Sequence, residues 1–472
     1  MSGSVTVIGG HTSIQGLTGL VTVPSGFTSP LTGVLQSLLT AASGAVSTSA
    51  ANFANLDVAG QAGPQTVSGG TGSGVLVLSN QDSTNATTAG NASVSINVPA
   101  GYNTLVVQAP GSETVNGNGA SNMLAVFGGN SSVNFVTGGG NGSIFAGGSD
   151  NAALIGANWQ FTGSPTGSET VAALANGSSV TVSGSKPNYI SANALNVSLS
   201  SAGTGDLDVV YGGTAQVSVA GTSTLLVDGG AVTVHAVSGV QSVQAAFANN
   251  GGQMDFINNS GSAVSVLGGF TGAVGGNLTV FGGTAGGYFQ GGPGGNNSLV
   301  GGTGAVTLIG NGDQNILVAN GSNNELVATG GSTTMTGAAG SSNNAFVGGT
   351  GTLVVSTSGS NSQSFFVGVT GQEVMTGSTV GGAVNDYFFL QDSTGSGSDI
   401  IQNFRLGTDH IYINPFGATS TAGVNISAVA AIPNTGAHPK GGAVVILSDS
   451  TQITLYGVSA NALQGDVGKT YI

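Results

Sequence analysis

The chain contains no cysteine among its 472 residues, which excludes disulfides, thiolate metal centres and cysteine nucleophiles together. Charge is nearly as scarce: charged residues make up 5% of the chain, against about one quarter of an ordinary soluble domain. Basic residues are fewest, four against eighteen acids, for a formal charge of −14. Phosphate binding needs clustered Lys and Arg, and Lys186, Arg405, Lys440 and Lys469 do not cluster, so nucleic acid is not an expected partner. Aromatics amount to 6%, and Trp159 and the tyrosines are too scattered for a carbohydrate platform. Gly, Ser and Thr interrupt every apolar stretch, so no window supplies the roughly 18 apolar residues of a membrane-spanning helix. The start, MSGSVTVIGGHTSIQG, lacks the positive and apolar pattern of a Sec-type signal; if the chain is exported, the address is expected elsewhere.

What the chain does have is glycine, 86 residues of it. Val, Leu, Ile and Phe are nevertheless frequent and mean hydropathy is positive, so the composition describes a long, thin core rather than disorder. From Gly301 the sequence runs in nine-residue units, GGTGAVTLI, GNGDQNILV, ANGSNNELV and ATGGSTTMT. One large apolar residue recurs per unit after a Gly/Asn/Ser turn, which describes a chain that turns, makes a short strand and turns again. Two units make one coil, which predicts that Leu308 stacks on Leu326 and Leu317 on Met335, about 4.8 Å apart. The predicted inward ladder is Leu299, Leu308, Leu317, Leu326, Met335, Phe346, Val355, Phe366 and Met375.

The expected fold class is all-β: an elongated parallel β-solenoid with a small helix-containing N-terminal cap and a C-terminal β cap. Residues 1–60 are read as a cap and assembly segment, in which Ser29-Pro30 starts a short helix through Leu31, Val34, Leu35, Leu38 and Leu39. Residues 61–270 are read as irregular solenoid, 271–385 as regular nonapeptide roll, and 386–472 as the C-terminal cap. In the cap, AVVILSDSTQITLYGV reads as a hairpin turning at Asp449-Ser450.

The units resemble the glycine-rich nonapeptides of the repeats-in-toxin family, Gly-Gly-x-Gly-x-Asp-x-(large apolar)-x, across about residues 282–376, and SDIIQNFRLGTDHIYI resembles the segment that follows the roll in that family. The resemblance implies a β-roll and type I export from a Gram-negative bacterium through an uncleaved C-terminal signal, with an extracellular or cell-surface location. It also implies calcium held by the sixth-position Asp. Here that position is Asn297, Val306, Asn315, Asn324 and Thr333. Asn brings no charge for a hard cation but can stack as a hydrogen-bonded ladder, so no cofactor is expected in the coils. Asp386, Asp392, Asp399 and Asp409, within 24 residues in the C-terminal cap, are where Ca²⁺ would bind, with solvated turn acids as the alternative.

Asp206-x-Asp208 puts two carboxylates on one strand face; a polysaccharide-modifying site there is weighed against solvated turn acids, and the latter is preferred. His11, His235, His410 and His438 follow no metal-ligand spacing. No catalytic set is recognised, and the expectation is a non-enzyme: an extracellular structural protein that assembles with itself into a filament or surface layer. Val5, Val7, Ile8, Leu20, Val21 and Val23 are the expected assembly strands. The alternative is a monomeric adhesin or a polysaccharide- or ice-binding module.

Overall fold

The computed structural model describes residues 4–8, 18–22, 53–57, 63–65, 70–79, 92–107, 111–127, 132–239, 242–245, 252–269, 276–357, 359–367, 371–389, 397–413, 426–434, 441–448 and 450–465. Two compact units divide the chain, one comprising Met1–Leu226 with Gly230–Val232, the other Val227–Gly229 with Thr233–Ile472. Each contains a parallel β-solenoid in which most strands pair with the strand two places on, while the long strands Tyr189–Gly203 and Asp206–Ala220 pair directly with each other. The expected N-terminal helix, from Ser29 to Leu39, lies outside the described residues.

In the first unit one inward row runs Ile96, Val115, Phe135, Ala152, Val171, Ile190 and Asp208. The facing row runs Leu105, Ala125, Ile144, Phe161, Val180, Leu199 and Val217. All of these side chains are buried. Strand alternation places every second residue inside, and each coil's apolar row is covered by its neighbour's. The strands Ser4–Ile8 and Thr18–Thr22 form a separate antiparallel hairpin, with Val5 opposite Val21 and Thr6 opposite Leu20; Val23 lies outside the described residues.

In the second unit Leu308 faces Leu326 and Leu317 faces Met335, as the nine-residue period predicts. One row runs Leu299, Leu317, Met335, Val355, Met375, Ile401 and Leu455. The other runs Phe289, Leu308, Leu326, Phe346, Phe365, Tyr387 and Ile411. Phe366 is therefore not a ladder residue: Phe365 faces Phe346, and Phe366 pairs with Val347. The cause is Gln363, which is buried and fixes the alternation so that the first Phe of the pair turns inward. Phe365 stacks on Phe346 at 5.5 Å and on Tyr387 at 4.6 Å.

The C-terminal hairpin is present. Gly442–Leu447 runs antiparallel to Gln452–Tyr456, with Ser450 at φ 73 in the turn, and Gln452–Tyr456 also pairs in parallel with Ser398–Gln402. A helix the sequence reading did not anticipate, Ala460–Gly465, follows; Ser459 Oγ accepts from the Ala462 N–H at 3.2 Å as its N-cap, and Leu463 is buried.

Coils approach closely at their corners. A Cβ on Gly302 would lie 1.5 Å from the carbonyl oxygen of Gly283. Gly302→Ala should therefore lower the free energy of unfolding by about 1–3 kcal/mol, the range for forced overpacking, as read from denaturant titration.

Candidate functional site: the inward polar ladders

At several corners a backbone N–H at or beside the start of a strand is buried, and a buried donor needs a partner. Along two rows of the coils that partner is a side chain from the next coil. In the first unit, Val133 N–H donates to Asp150 Oδ1 at 2.8 Å, Asp150 N–H to Glu169 Oε2 at 3.0 Å, Glu169 N–H to Asn188 Oδ1 at 2.9 Å, and Asn188 N–H to Asp206 Oδ1 at 2.9 Å. Ser201 Oγ and the Gly203 N–H complete Asp206 at 2.6 and 2.8 Å.

The second unit repeats the device with amides. Val306 N–H donates to Asn324 Oδ1 at 2.8 Å, Asn324 N–H to Asn344 Oδ1 at 2.9 Å, and Asn344 N–H to Gln363 Oε1 at 3.1 Å. Side chains also join along the axis: Asn297 Nδ2 to Asn315 Oδ1 at 3.0 Å, and Asn315 Nδ2 to Thr333 Oγ1 at 3.2 Å. The sixth-position asparagines thus form the ladder that the sequence raised as an alternative to ion binding.

The first ladder of the second unit ends on Asp409. Its carboxylate accepts from Asn385 N–H at 3.0 Å, Asn385 Nδ2 at 3.1 Å, Arg405 N–H at 2.9 Å and Arg405 Nη2 at 2.9 Å. It is fully buried, whereas the Arg405 side chain is 28% exposed. Asp386, one residue on from Asn385, faces the opposite way and meets His410 Nδ1 at 2.8 Å. Asp399 is inward on the other sheet, directly opposite Glu373, and neither of its carboxyl oxygens has a hydrogen-bond partner. Asp392 lies outside the described residues.

The three described acids of the expected calcium set therefore do not converge. Asp409 is saturated by N–H donors, Asp386 faces outward, and Asp399 belongs to a different sheet; among the described residues no three His, Asp or Glu side chains are grouped to hold a metal. A hard cation wants six to eight oxygens, and these residues do not fit one. Alternation along strands dictates this outcome, because Asp386 and Asp409 differ in parity relative to the shared register.

Asp206 and Asp208 do share a face, but it is the inner one, at 1% and 0% exposure. They are not the solvated turn acids expected, nor can a polysaccharide reach them. Asp208 occupies a position of the apolar row with both oxygens unpartnered. Burial, and secondarily the charge of Asp206, pushes its carboxyl up to about 7. Burial likewise raises Glu113 to about 7, Asp150 to about 6, Glu169 to about 7 and Asp399 to about 7.

Sequence reading missed Glu113, Asp150, Glu169 and Asn188. The signal was available: Glu169-x-Val171, Asn188-x-Ile190 and Asp206-x-Asp208 repeat the polar-x-core spacing of Asn315-x-Leu317. These stacked coils, with inward ladders of amides and carboxyl groups, define a parallel β-solenoid. No family model, no curated protein and no solved structure matches the chain.

Proposed function

We propose that the protein is a secreted structural protein that assembles with itself into an extracellular filament or surface layer. The observation that carries this reading is the N-terminal hairpin. Ser4–Ile8 and Thr18–Thr22 pair with each other and, among the described residues, with no solenoid strand. Their outer edges thus offer N–H and C=O groups to a strand of another copy. The buried acids support the reading from the other side, because Asp150, Glu169 and Asp206 accept from backbone N–H groups of the neighbouring coil and all of them lie beyond reach of a substrate. Export by the type I route rests on the resemblance of the C-terminal segment. Deleting residues 1–25 should abolish polymers seen by negative-stain microscopy, with the melting temperature of the solenoid retained; undiminished polymers would refute the hairpin's role.

A second reading, a polysaccharide-binding adhesin, is favoured by one feature of the first unit. Ser143, Gln160, Ser179 and Ser198 align in one outward row, and Thr162, Thr181, Ser200 and Ser218 in the next. Sedimentation of the deleted, non-assembling chain with an insoluble polysaccharide would favour it.

A further inference from the structure

On one face of the second unit, eight consecutive described strands carry no outward charge; the strand before them, Gly252–Asn258, places Asp255 outward beside Thr279 and bounds the stretch. Its strands include Asn296–Val300, Gln314–Ala319, Ser332–Gly337, Thr352–Ser356, Gln372–Thr376 and Ser398–Gln402, stacked in register. Their middle outward positions read Ser298, Ile316, Thr334, Val354, Val374 and Ile400. The outward positions on either side are Asn, Gln, Ser, Thr or Val throughout. Both acids on these strands, Glu373 and Asp399, point inward and are buried. The strands that bracket the set, Asn277–Phe281 and Gln452–Tyr456, add no outward charge either.

Large apolar side chains stand out from this face: Phe281 is 46% exposed, Ile316 52% and Val354 47%. The opposite face of the same unit differs, since its outward positions include Glu325, Asp386 and His410. The uncharged face is therefore not a by-product of a chain poor in charge everywhere.

We propose that this uncharged face packs against the same face of a second copy, pairing two solenoids side by side. Charge selects the partner. A chain with a formal charge of −14 repels its own copies at any acidic face, and this face brings no acid to the contact. Its area also fits. Eight strands at about 4.8 Å and five residues at about 3.3 Å give roughly 600 Å² in projection. That is comparable to the roughly 800 Å² of accessible surface that each partner gives to a standard-size interface. Pairing by a two-fold axis lying in the contact plane brings the middle row onto itself, so Val354 meets the middle row of the other copy, with the sheets about 10 Å apart.

This deepens the reading of a self-assembling protein, and rests on it, by naming a lateral contact distinct from the N-terminal hairpin. The test uses the full chain carrying Val354→Glu, Val354→Arg, Thr334→Glu or, on the opposite face, Val327→Glu. Mass is read by sedimentation, filament width by electron microscopy and folding by thermal melts. Wild type and Val327→Glu should pair. Each charge on the uncharged face should weaken pairing by roughly 100-fold or more, as like charges are brought together, and mixing Val354→Glu with Val354→Arg should restore it. Thr334→Glu provides the readout should either Val354 variant fail to fold. Wild type that stays monomeric at every soluble concentration, folded Glu variants with unchanged mass, or equal loss in Val327→Glu would overturn the proposal. Deleting residues 1–25 separates the two ideas. If polymers disappear while pairs remain, both stand; if Val354→Glu polymers keep their full width, only the lateral contact falls; if wild type pairs but never polymerises, only the assembly reading falls.

Discussion

At pH 8 the protein should unfold at a temperature lower than at pH 5, by about 10 °C or more, when both are followed by calorimetry. Glu113, Glu169, Asp208 and Asp399 are held near 7 and Asp150 near 6 by burial. In the unfolded chain the same groups release their protons near pH 4. Between those limits the folded protein binds more protons than the unfolded one, so stability falls as pH rises from about 4 through about 7. Below pH 4 both states are protonated and these groups contribute no slope. Asp208, moved from 3.8 to about 7, alone accounts for about 4 kcal/mol, at 1.36 kcal/mol per tenfold change. Asp208→Val supplies the β-branched residue that the row through Val171 and Ile190 calls for, and should both raise the melting temperature at pH 8 and flatten its pH dependence. A melting temperature that climbs from pH 5 to pH 8 would show that these acids are not held protonated.

Arg405→Met should destabilise the second unit by about 3–5 kcal/mol, the cost of leaving a buried charge without its partner. Asp409 is fully buried and Arg405 reaches it through its guanidinium at 2.9 Å. Adding Asp409→Asn should recover most of the loss, because an amide there continues the arrangement of Asn324 and Asn344, where one side chain accepts from the backbone of the coil before it. Denaturant titration of the single and double variants checks both statements. Equal stability of Arg405→Met and wild type would mean that the pair behaves as an exposed one.

The regular coils were legible because nothing interrupts their period: the stacking of Leu308 on Leu326 and of Leu317 on Met335 follows from counting. Phe365 and Phe366 were not separable by counting, since adjacent aromatics satisfy the spacing equally and only Gln363, turned inward, decides between them. In the first unit the coils vary in length, with Ser112 opposite Ser132 but Asn134 opposite Asn151, and this variation hides the repeat that Glu169, Asn188 and Asp206 would otherwise reveal. The Asp206-x-Asp208 spacing correctly gave one shared face. Which face it was depended on burying carboxyl groups, against the usual rule that acids stay in water. The same rule made the C-terminal acids look like an ion site, whereas their strand positions divide them between two sheets and two sides.

The opposition of Leu308 to Leu326 and of Asn297 to Asn315, eighteen residues on, has a consequence for how such a chain can change over generations. An eighteen-residue block is an interchangeable part. Excising or duplicating one leaves every remaining rung with a neighbour of the same kind, so the molecule can be shortened or lengthened by whole steps. A single inserted residue inside a strand has no such freedom, because it turns the aliphatic row outward and the amides away from the corners they serve.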